Sequence, residues 1–192
     1  GHKVSVWHYN SDYITQIKES RFHLKLNSKI SKKINFISKP SNIDEESLIL
    51  ICLPCQKIRV VLSDLELKNK YYITASKGIE LKSGKLISNI IDETIKRKDI
   101  IVACLSGPSH AEELIKKIPT VIAVGSQDIE FSKLIQGLFS NDFFRLYQTE
   151  SIESMQVGGA VKNIISIASG ISSGLGYGDN TTAALITRGI QE

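Results

Sequence analysis

Cysteines and long apolar runs are scarce in this sequence, and each shortage excludes a class of protein. Three cysteines in 192 residues are too few for the disulfide framework of a small secreted domain, so we expect a reducing, cytoplasmic location. The longest apolar run, residues 48–53, has the length of a strand and falls far short of the roughly 20 residues that span a bilayer. The opening Gly-His-Lys does not resemble a signal peptide either.

Concentrated charge and metal-ligand spacing are also missing. The net charge is only +4. The densest basic stretch, residues 25–33, has no interleaved aromatic residue, which favours a solvated segment over a nucleic-acid surface. The four histidines, at positions 2, 8, 23 and 110, show no metal-ligand spacing with Cys or carboxylates. We therefore expect neither a metal nor a nucleic acid.

Three glycine signatures of nucleotide and acyl chemistry are absent: the P-loop, G-x-S-x-G and G-x-G-x-x-G. The chain does not begin with Met, starts almost inside a strand and ends within a helical pattern. We therefore expect a fragment that lacks both ends of a longer protein, with any glycine-rich turn upstream of Gly1.

The elements that are present alternate between strand and helix. Short, almost wholly apolar runs predict strands buried on both faces. These strands are expected at 4–7, 48–53, 71–74, 100–105 and 120–124. Stretches with helical spacing of Ile, Leu and Val lie between them, at 56–67, 85–96, 111–117 and 129–138. The alternation indicates an α/β fold with a doubly wound, mostly parallel sheet.

The pattern changes near Glu150. Strand signals stop, and Val161, Ile164 and Ile165 begin an apolar repeat at helical spacing. Helical character resumes at 181–192 after a glycine-rich loop. We predict an α/β domain over residues 1–149 and the beginning of an all-α domain over 150–192.

Two motifs follow predicted strands, at the edge where α/β sheets bind ligands. Ser106-Gly107-Pro108-Ser109 precedes a helix, and Ser109 has capping-box spacing with Glu112. It predicts an anion site at a helix N-terminus, or no more than a well-capped helix. In Ala75-Ser76-Lys77-Gly78, Lys77 could reach a phosphate or a carbonyl, although a solvated loop lysine is the commoner case.

A third motif, Gly158-Gly159-Ala160-Val161-Lys162-Asn163, places a lysine on an otherwise apolar helix. A buried amine there would suit proton transfer. A lysine that snorkels from the helix edge is an equally good interpretation.

Cys52-Leu53-Pro54-Cys55 has the placement of a thioredoxin-like redox motif, after a strand and before a helix. Because Cys52 directly follows Ile51, it reads as part of the strand. We interpret the two cysteines as small buried hydrophobes rather than as a functional dithiol.

Four motifs in this order and spacing resemble the bacterial-type NAD(P)-dependent glycerol-3-phosphate dehydrogenases over essentially the whole chain. They are Ala75-Ser76-Lys77-Gly78-Ile79-Glu80, the Ser106–Ser109 and Gly158–Asn163 motifs, and Thr182-Ala183-Ala184-Leu185-Ile186-Thr187-Arg188-Gly189. The resemblance implies a Rossmann-like fold whose first strand is missing. It also implies interconversion of dihydroxyacetone phosphate and sn-glycerol 3-phosphate with NAD(P)H, for phospholipid synthesis. The implied partner is a small phosphorylated substrate, and a homodimer is possible.

The resemblance also implies residue roles. Lys162 matches the general acid/base and contacts substrate, and Lys77 contacts both cofactor and substrate. Gly107 and Ser109 match substrate-contacting positions, with Ser109 in place of the more frequent Thr. The resemblance further places Ala111 beside the cofactor, and His8 and Tyr9 at its adenosine ribose.

This sequence departs from the family pattern after its first predicted strand. The Arg often found there is missing from Trp7-His8-Tyr9-Asn10, which leaves NADH and NADPH both open. Another β-hydroxyacid-type dehydrogenase, a thiol–disulfide oxidoreductase and a non-catalytic phosphate-binding fragment remain alternatives.

Overall fold

The computed structural model describes residues 2–40 and 43–191, and these contain nine strands and seven helices. The strands are β1 (Val4–Trp7), β2 (Phe22–His23), β3 (Ser28–Lys29), β4 (Ile34–Ile37), β5 (Ile49–Ile51), β6 (Tyr71–Thr74), β7 (Ile101–Ser106), β8 (Thr120–Ser126) and β9 (Phe144–Thr149). The helices are α1 (Ser11–Ser20), α2 (Cys55–Leu65), α3 (Ile87–Thr94), α4 (Ala111–Ile115), α5 (Ile129–Phe139), α6 (Ile152–Gly174) and α7 (Asp179–Gln191).

The described strands form three sheets. The largest has the order β5-β6-β7-β8-β9, β1 pairs in parallel with β4, and β2 pairs with β3 in a small antiparallel hairpin. Within the large sheet every neighbouring pair is parallel except β7 and β8. The predicted α/β architecture with a mostly parallel sheet is confirmed.

Helices cover both faces of the large sheet. Tyr72 and Ile73 are adjacent in β6 and both wholly buried, but they point to opposite faces. Tyr72 packs in a cluster with apolar residues of α2 and α3, and Ile73 packs in a second cluster with residues of α5. This two-sided burial explains why the strand runs of the large sheet are so apolar.

The antiparallel pairing of β7 and β8 has a simple cause. A parallel neighbour would need a crossover helix on a face of the sheet, whereas an antiparallel one can return directly. The connection holds only the five-residue α4, which buries no side chain. The return places Ala123 opposite Ser106, so the first half of β8 lies at the carboxyl end of β7.

The change of pattern near Glu150 is confirmed in the structure. The last strand ends at Thr149, and the described residues that follow it form only the helices α6 and α7 with their connections. Helix α6 packs on β7 and β8. Met155 lies against Gly125, and four residues later Gly159 lies against Ser106. The helix therefore carries its residues toward the carboxyl end of β7.

Candidate functional site

The carboxyl ends of β6 and β7 bring two of the sequence motifs together. The strands pair in parallel, with Thr74 opposite Cys104, so the residues that follow them leave the sheet side by side. Lys77 Nζ donates a hydrogen bond to the carbonyl oxygen of Gly107, at 3.2 Å. The structure thus joins the Lys77 and Gly107 motifs, as expected for the ligand-binding edge of an α/β sheet.

The backbone before and after Lys77 is fixed to its neighbours. Ser76 Oγ accepts a hydrogen bond from the Leu53 amide at 2.9 Å and donates one to the Ile51 carbonyl at 3.3 Å. Gly78 has a φ of +128°, and a Cβ there would lie 3.0 Å from Cys55 Cβ. The turn therefore requires glycine, both for its backbone conformation and for its contact with α2.

Gly107 is required for a similar reason. Its φ is +155°, and an added Cβ would lie 2.7 Å from Ile122 Cγ2. The absence of a side chain lets the chain leave β7 directly against β8. This close approach holds the Gly107 carbonyl within reach of Lys77.

Helix α6 adds the second lysine. A Cβ at Gly159 would lie 3.1 Å from Ser106 Oγ and 3.7 Å from Lys77 Cγ, so the helix backbone passes close to both residues. Lys162 is three residues further along and shares that face of the helix. Partial burial, and then the nearby positive charge of Lys162, lower the pKa of Lys77 below its ordinary value. The two ammonium groups are therefore electrostatic neighbours.

Among residues 2–40 and 43–191, no carboxylate forms an ion pair with Lys77 or Lys162. Like charges repel, and an anion between them relieves the repulsion. The arrangement suits a phosphate or a developing oxyanion.

The surface position of Lys162 favours the second of its two interpretations, a lysine at the helix edge, over a buried amine. Lys162 is exposed, and so are the neighbouring apolar residues Ile164, Ile167 and Ile171, each 59–64% exposed. The apolar spacing of α6 was read correctly, but none of the described residues covers this face. Its place beside Lys77 is what makes Lys162 a candidate site residue.

The predicted capping box at Ser109 is wrong. His110, not Ser109, is the N-cap of α4, and its side chain makes no capping bond. The chain stays extended through His110, which places Ser109 one residue too early. Ser109 Oγ instead donates a long, 3.5 Å hydrogen bond to the Gly107 carbonyl. Ser109 and Ala111 are both exposed.

His8 and Tyr9 lie in a different part of the molecule, directly after β1. Their rings stack with centroids 4.4 Å apart and an interplanar angle of 29°. His8 Nδ1 accepts a hydrogen bond from the Asn10 amide at 3.1 Å, and Tyr9 is 74% exposed. The aromatic pair belongs to the β1–β4 unit, whereas Lys77, Gly107 and Lys162 lie around the large sheet.

The cysteine motif has no activated thiol. Cys52 lies just after β5 and is exposed, so its expected place within the strand is wrong, because β5 ends at Ile51. Cys55 is buried at the start of α2, and neither cysteine forms a disulfide. Although the Cys52 residue is exposed overall, loss of water around the sulfur raises the pKa of both thiols, and the negative charge of Glu80 raises that of Cys55 further. A raised pKa disfavours the thiolate that redox chemistry needs. That the pair is not a functional dithiol stays a prediction.

No helix in residues 2–40 and 43–191 is long and apolar enough to cross a membrane. In the same two segments, no cluster of three or more His, Cys, Asp or Glu side chains could hold a metal ion.

Sequence reasoning missed Gln156, which joins α6 to α3. Gln156 is 4% exposed. Its Oε1 accepts a hydrogen bond from the Ser88 amide at 3.0 Å, and its Nε2 donates to Ser88 Oγ at 2.8 Å. Ser88 is in the first turn of α3, where backbone amides lack partners within the helix. A contact between residues 68 positions apart left no signal in the sequence.

Comparison with known proteins gives one consistent result. The family described as NAD-dependent glycerol-3-phosphate dehydrogenase, N-terminus, matches residues 1–132, and the corresponding C-terminal family matches residues 151–192.

Named relatives and a solved structure are similar over the whole chain. Glycerol-3-phosphate dehydrogenases [NAD(P)+] of Staphylococcus haemolyticus and Clostridium tetani are 40% and 38% identical and align with 100% of this chain. The chain spans 60% and 56% of their respective lengths. A crystal structure of glycerol-3-phosphate dehydrogenase from Coxiella burnetii superposes with a TM-score of 0.84 at 29% identity. It covers 97% of this chain, which covers 58% of that one.

Proposed function

Because the chain belongs to the NAD-dependent glycerol-3-phosphate dehydrogenase family, we propose that it serves the interconversion of dihydroxyacetone phosphate and sn-glycerol 3-phosphate. The observation that carries the proposal is the pair of unneutralised ammonium groups, Lys77 and Lys162, at the carboxyl ends of β6 and β7. The chain spans little more than half the length of its relatives, so the proposal concerns the part of the site that these residues build.

Substrate binding is assigned to the two lysines and the glycine turn. A phosphate oxygen or a carbonyl oxygen between Lys77 and Lys162 would relieve their repulsion and gain charge-assisted hydrogen bonds. Gly107 holds its carbonyl beside Lys77, and Ser109 offers a hydroxyl next to that carbonyl. The role of Lys77 includes giving up its bond to the Gly107 carbonyl when an anion binds.

Proton transfer is assigned to Lys162. Reduction of a ketone leaves negative charge on the carbonyl oxygen, and an ammonium can first stabilise that charge and then donate the proton. A positioned acid contributes roughly a hundred- to ten-thousandfold in rate. Lys77 already donates to a backbone carbonyl, so the proton transfer is assigned to Lys162.

A nicotinamide cofactor, when bound, supplies the hydride. The residues at β1 fit one end of it, because the stacked rings of His8 and Tyr9 offer an exposed aromatic surface at the end of a parallel strand. Residues 8–10 contain neither a carboxylate for the ribose hydroxyls nor an arginine for a 2′-phosphate. Ala111, exposed at the start of α4, is assigned to the cofactor side of the substrate pocket.

The domain division and the cellular location are further parts of the proposal. The N-terminal family match ends at residue 132 and the C-terminal match begins at residue 151. This separation supports an α/β domain over 1–149 and a helical domain from 150 onward. The three cysteines are all free thiols, which fits a reducing cytoplasm and a role in glycerol phosphate supply for phospholipids.

Calorimetric titration of the chain with dihydroxyacetone phosphate, with and without NADH, tests the proposal. We expect saturable binding that depends on the phosphate, so dihydroxyacetone without phosphate should bind at least about tenfold more weakly, because it cannot pair with both cations. Equal binding of the two ketones would contradict the proposal. Preferential binding of a non-phosphorylated β-hydroxyacid would favour the other dehydrogenase class.

A further inference from the structure

The segment that carries Lys77, residues 76–81, is hydrogen-bonded to side chains of α2. Gln56 pairs with its backbone from both ends of the amide: Nε2 donates to the Ile79 carbonyl at 2.8 Å, and Oε1 accepts from the Leu81 amide at 3.0 Å. The Gln56 amide thus makes one donated and one accepted hydrogen bond with this backbone, as a neighbouring β-strand would.

One turn further along α2, Arg59 holds the same segment through a carboxylate. Arg59 Nε lies 2.9 Å and 3.1 Å from the two carboxylate oxygens of Glu80, and Nη2 lies 2.8 Å from Oε2. Ser83 Oγ donates to the same Oε2 at 2.5 Å. Glu80 is only 9% exposed. The bidentate Arg59–Glu80 ion pair therefore has a fixed geometry, unlike an exposed ion pair on the surface.

The outer part of the network fixes Arg59 in turn. Arg59 Nη2 also donates to Glu93 of α3 at 3.0 Å, and Glu93 pairs with Lys85. Arg59 is therefore held between two carboxylates, one on the Lys77 segment and one on a neighbouring helix.

Lys77 lies between the two anchored parts of the segment. Ser76 is bonded to β5 on one side, and Ile79, Glu80 and Leu81 are bonded to α2 on the other. The direction in which Lys77 leaves the backbone is therefore set by the α2 contacts as well as by the sheet.

We propose that Gln56, Arg59 and Glu80 are positioning residues that hold Lys77 beside Gly107 and Lys162 for substrate binding. The role of substrate rests on the proposed function, whereas the placement of Lys77 does not. Misplacing a binding group by about 1 Å can cost up to a hundredfold in activity. Gln56 and Arg59 act on the segment through the backbone of Ile79 and Leu81 and the Glu80 carboxylate.

The alternative is that the network only stabilises the fold, and the amine of Lys77 distinguishes the two. Partial burial and the proximity of Lys162 lower the pKa of Lys77. A loosened segment would bring the pKa of Lys77 back up toward its ordinary value. Loss of the Glu80 charge would by itself act in the opposite direction, because removing a negative charge lowers the pKa of a lysine. The sign of the change therefore separates loosening from simple electrostatics.

The experiment follows the Lys77 amine by NMR after reductive methylation with ¹³C-formaldehyde, with the signal assigned by Lys77→Arg. Glu80→Gln and the uncharged change Gln56→Ala are compared with Glu130→Gln, which breaks a surface pair of α5 at 2.8 Å. Thermal unfolding of each variant identifies any that does not fold, and Gln56→Ala carries the test if Glu80→Gln is one of them. Dihydroxyacetone phosphate affinity is measured on the same samples.

The expected result is an upward shift of the Lys77 titration in Glu80→Gln and Gln56→Ala but not in Glu130→Gln. Dihydroxyacetone phosphate affinity should fall about tenfold in the first two, and Arg59→Lys, which keeps the charge but not the fork, should be intermediate. Folded variants whose Lys77 titration and affinity match those of Glu130→Gln would overturn the proposal. If wild type bound no dihydroxyacetone phosphate, the proposed function would fail, while the Lys77 titration would still decide the positioning.

Discussion

Gly159 of α6 lies directly against Ser106 at the end of β7, so closely that a Cβ on the glycine would stand 3.1 Å from the serine hydroxyl. This contact lets the helix pass the carboxyl end of the strand. Lys162 follows one turn later and comes near Lys77. The separation between the two lysines therefore depends on a residue that has no side chain.

Replacing Gly159 tests that dependence. Gly158 is the matched control, because a Cβ there meets nothing within 4 Å. Gly158→Ala should stabilise the helix by about 0.5–1 kcal/mol. Gly159→Ala should stabilise the protein less than Gly158→Ala does, because α6 must shift by a few tenths of an ångström to make room for the new methyl group. This shift should also weaken dihydroxyacetone phosphate binding about tenfold. Equal melting temperatures and equal affinities for the two variants would show that the close approach has no consequence.

Gly107→Ala should be far more damaging to stability. The backbone there has a φ of +155°, and the new methyl group would lie 2.7 Å from Ile122 Cγ2. Backbone strain and overpacking together should cost at least about 2 kcal/mol in denaturant unfolding. Gly137→Ala, in α5 with open space around it, should instead be neutral or stabilising. A Gly107→Ala protein as stable as wild type would mean that the turn after β7 can relax.

Gln156→Ala should loosen α6 from α3. It removes both bonds to Ser88 and leaves the Ser88 amide without its partner in a poorly solvated place, at a cost of about 1–3 kcal/mol. Ser166→Ala, at an exposed position of the same helix, is the control and should change stability little. Hydrogen exchange at Ser88 gives a local measurement: its amide should exchange faster in Gln156→Ala and unchanged in Ser166→Ala. Unaltered protection would contradict the capping role.

The lowered pKa of Glu80 predicts a pH range in which the free energy of unfolding changes. The bonds from Arg59, and then from Ser83, lower the pKa of Glu80 from 4.5 to about 2. A lowered carboxyl pKa stabilises the fold above the unfolded value, and that contribution is lost as pH falls through the folded value. The stability difference between wild type and Glu80→Gln should therefore be constant above about pH 4.5 and should shrink toward pH 2. Urea titrations across this range measure it, and a difference that did not change with pH would assign the effect to packing alone.

The sequence predicted the elements that carry a clear apolar run or apolar repeat and missed several that carry neither. Strand β6 was predicted with its observed bounds, because residues 71–74 are an unbroken apolar run with one Thr. Strand β9 was missed because Phe144–Thr149 alternates apolar and polar residues at the edge of the sheet. Helix α1 was missed because it buries only Ile14 and Ile17, too few for a periodic signal.

The site was predicted in its parts but not in its assembly. Lys77, Gly107 and Lys162 each stood out by their place after a strand or on a helix. The capping box failed because local spacing does not reveal that the chain stays extended through His110. The contacts of Gln156 with Ser88 and of Arg59 with Glu80 join residues 68 and 21 positions apart, and such pairings follow from topology rather than from local pattern.

The most direct test of the account is a dihydroxyacetone phosphate titration of wild type, Lys77→Ala, Lys162→Ala and the double variant. Lys133→Ala, at an exposed position on α5, serves as the control for lost charge. Each single variant should lose about tenfold or more in affinity, as expected for a charge-assisted bond of about 1.5–3 kcal/mol. The double variant should lose less than the product, because each lysine is partly held in place by the same anion. Wild-type affinity in both single variants would contradict the claim that the two lysines form the substrate site.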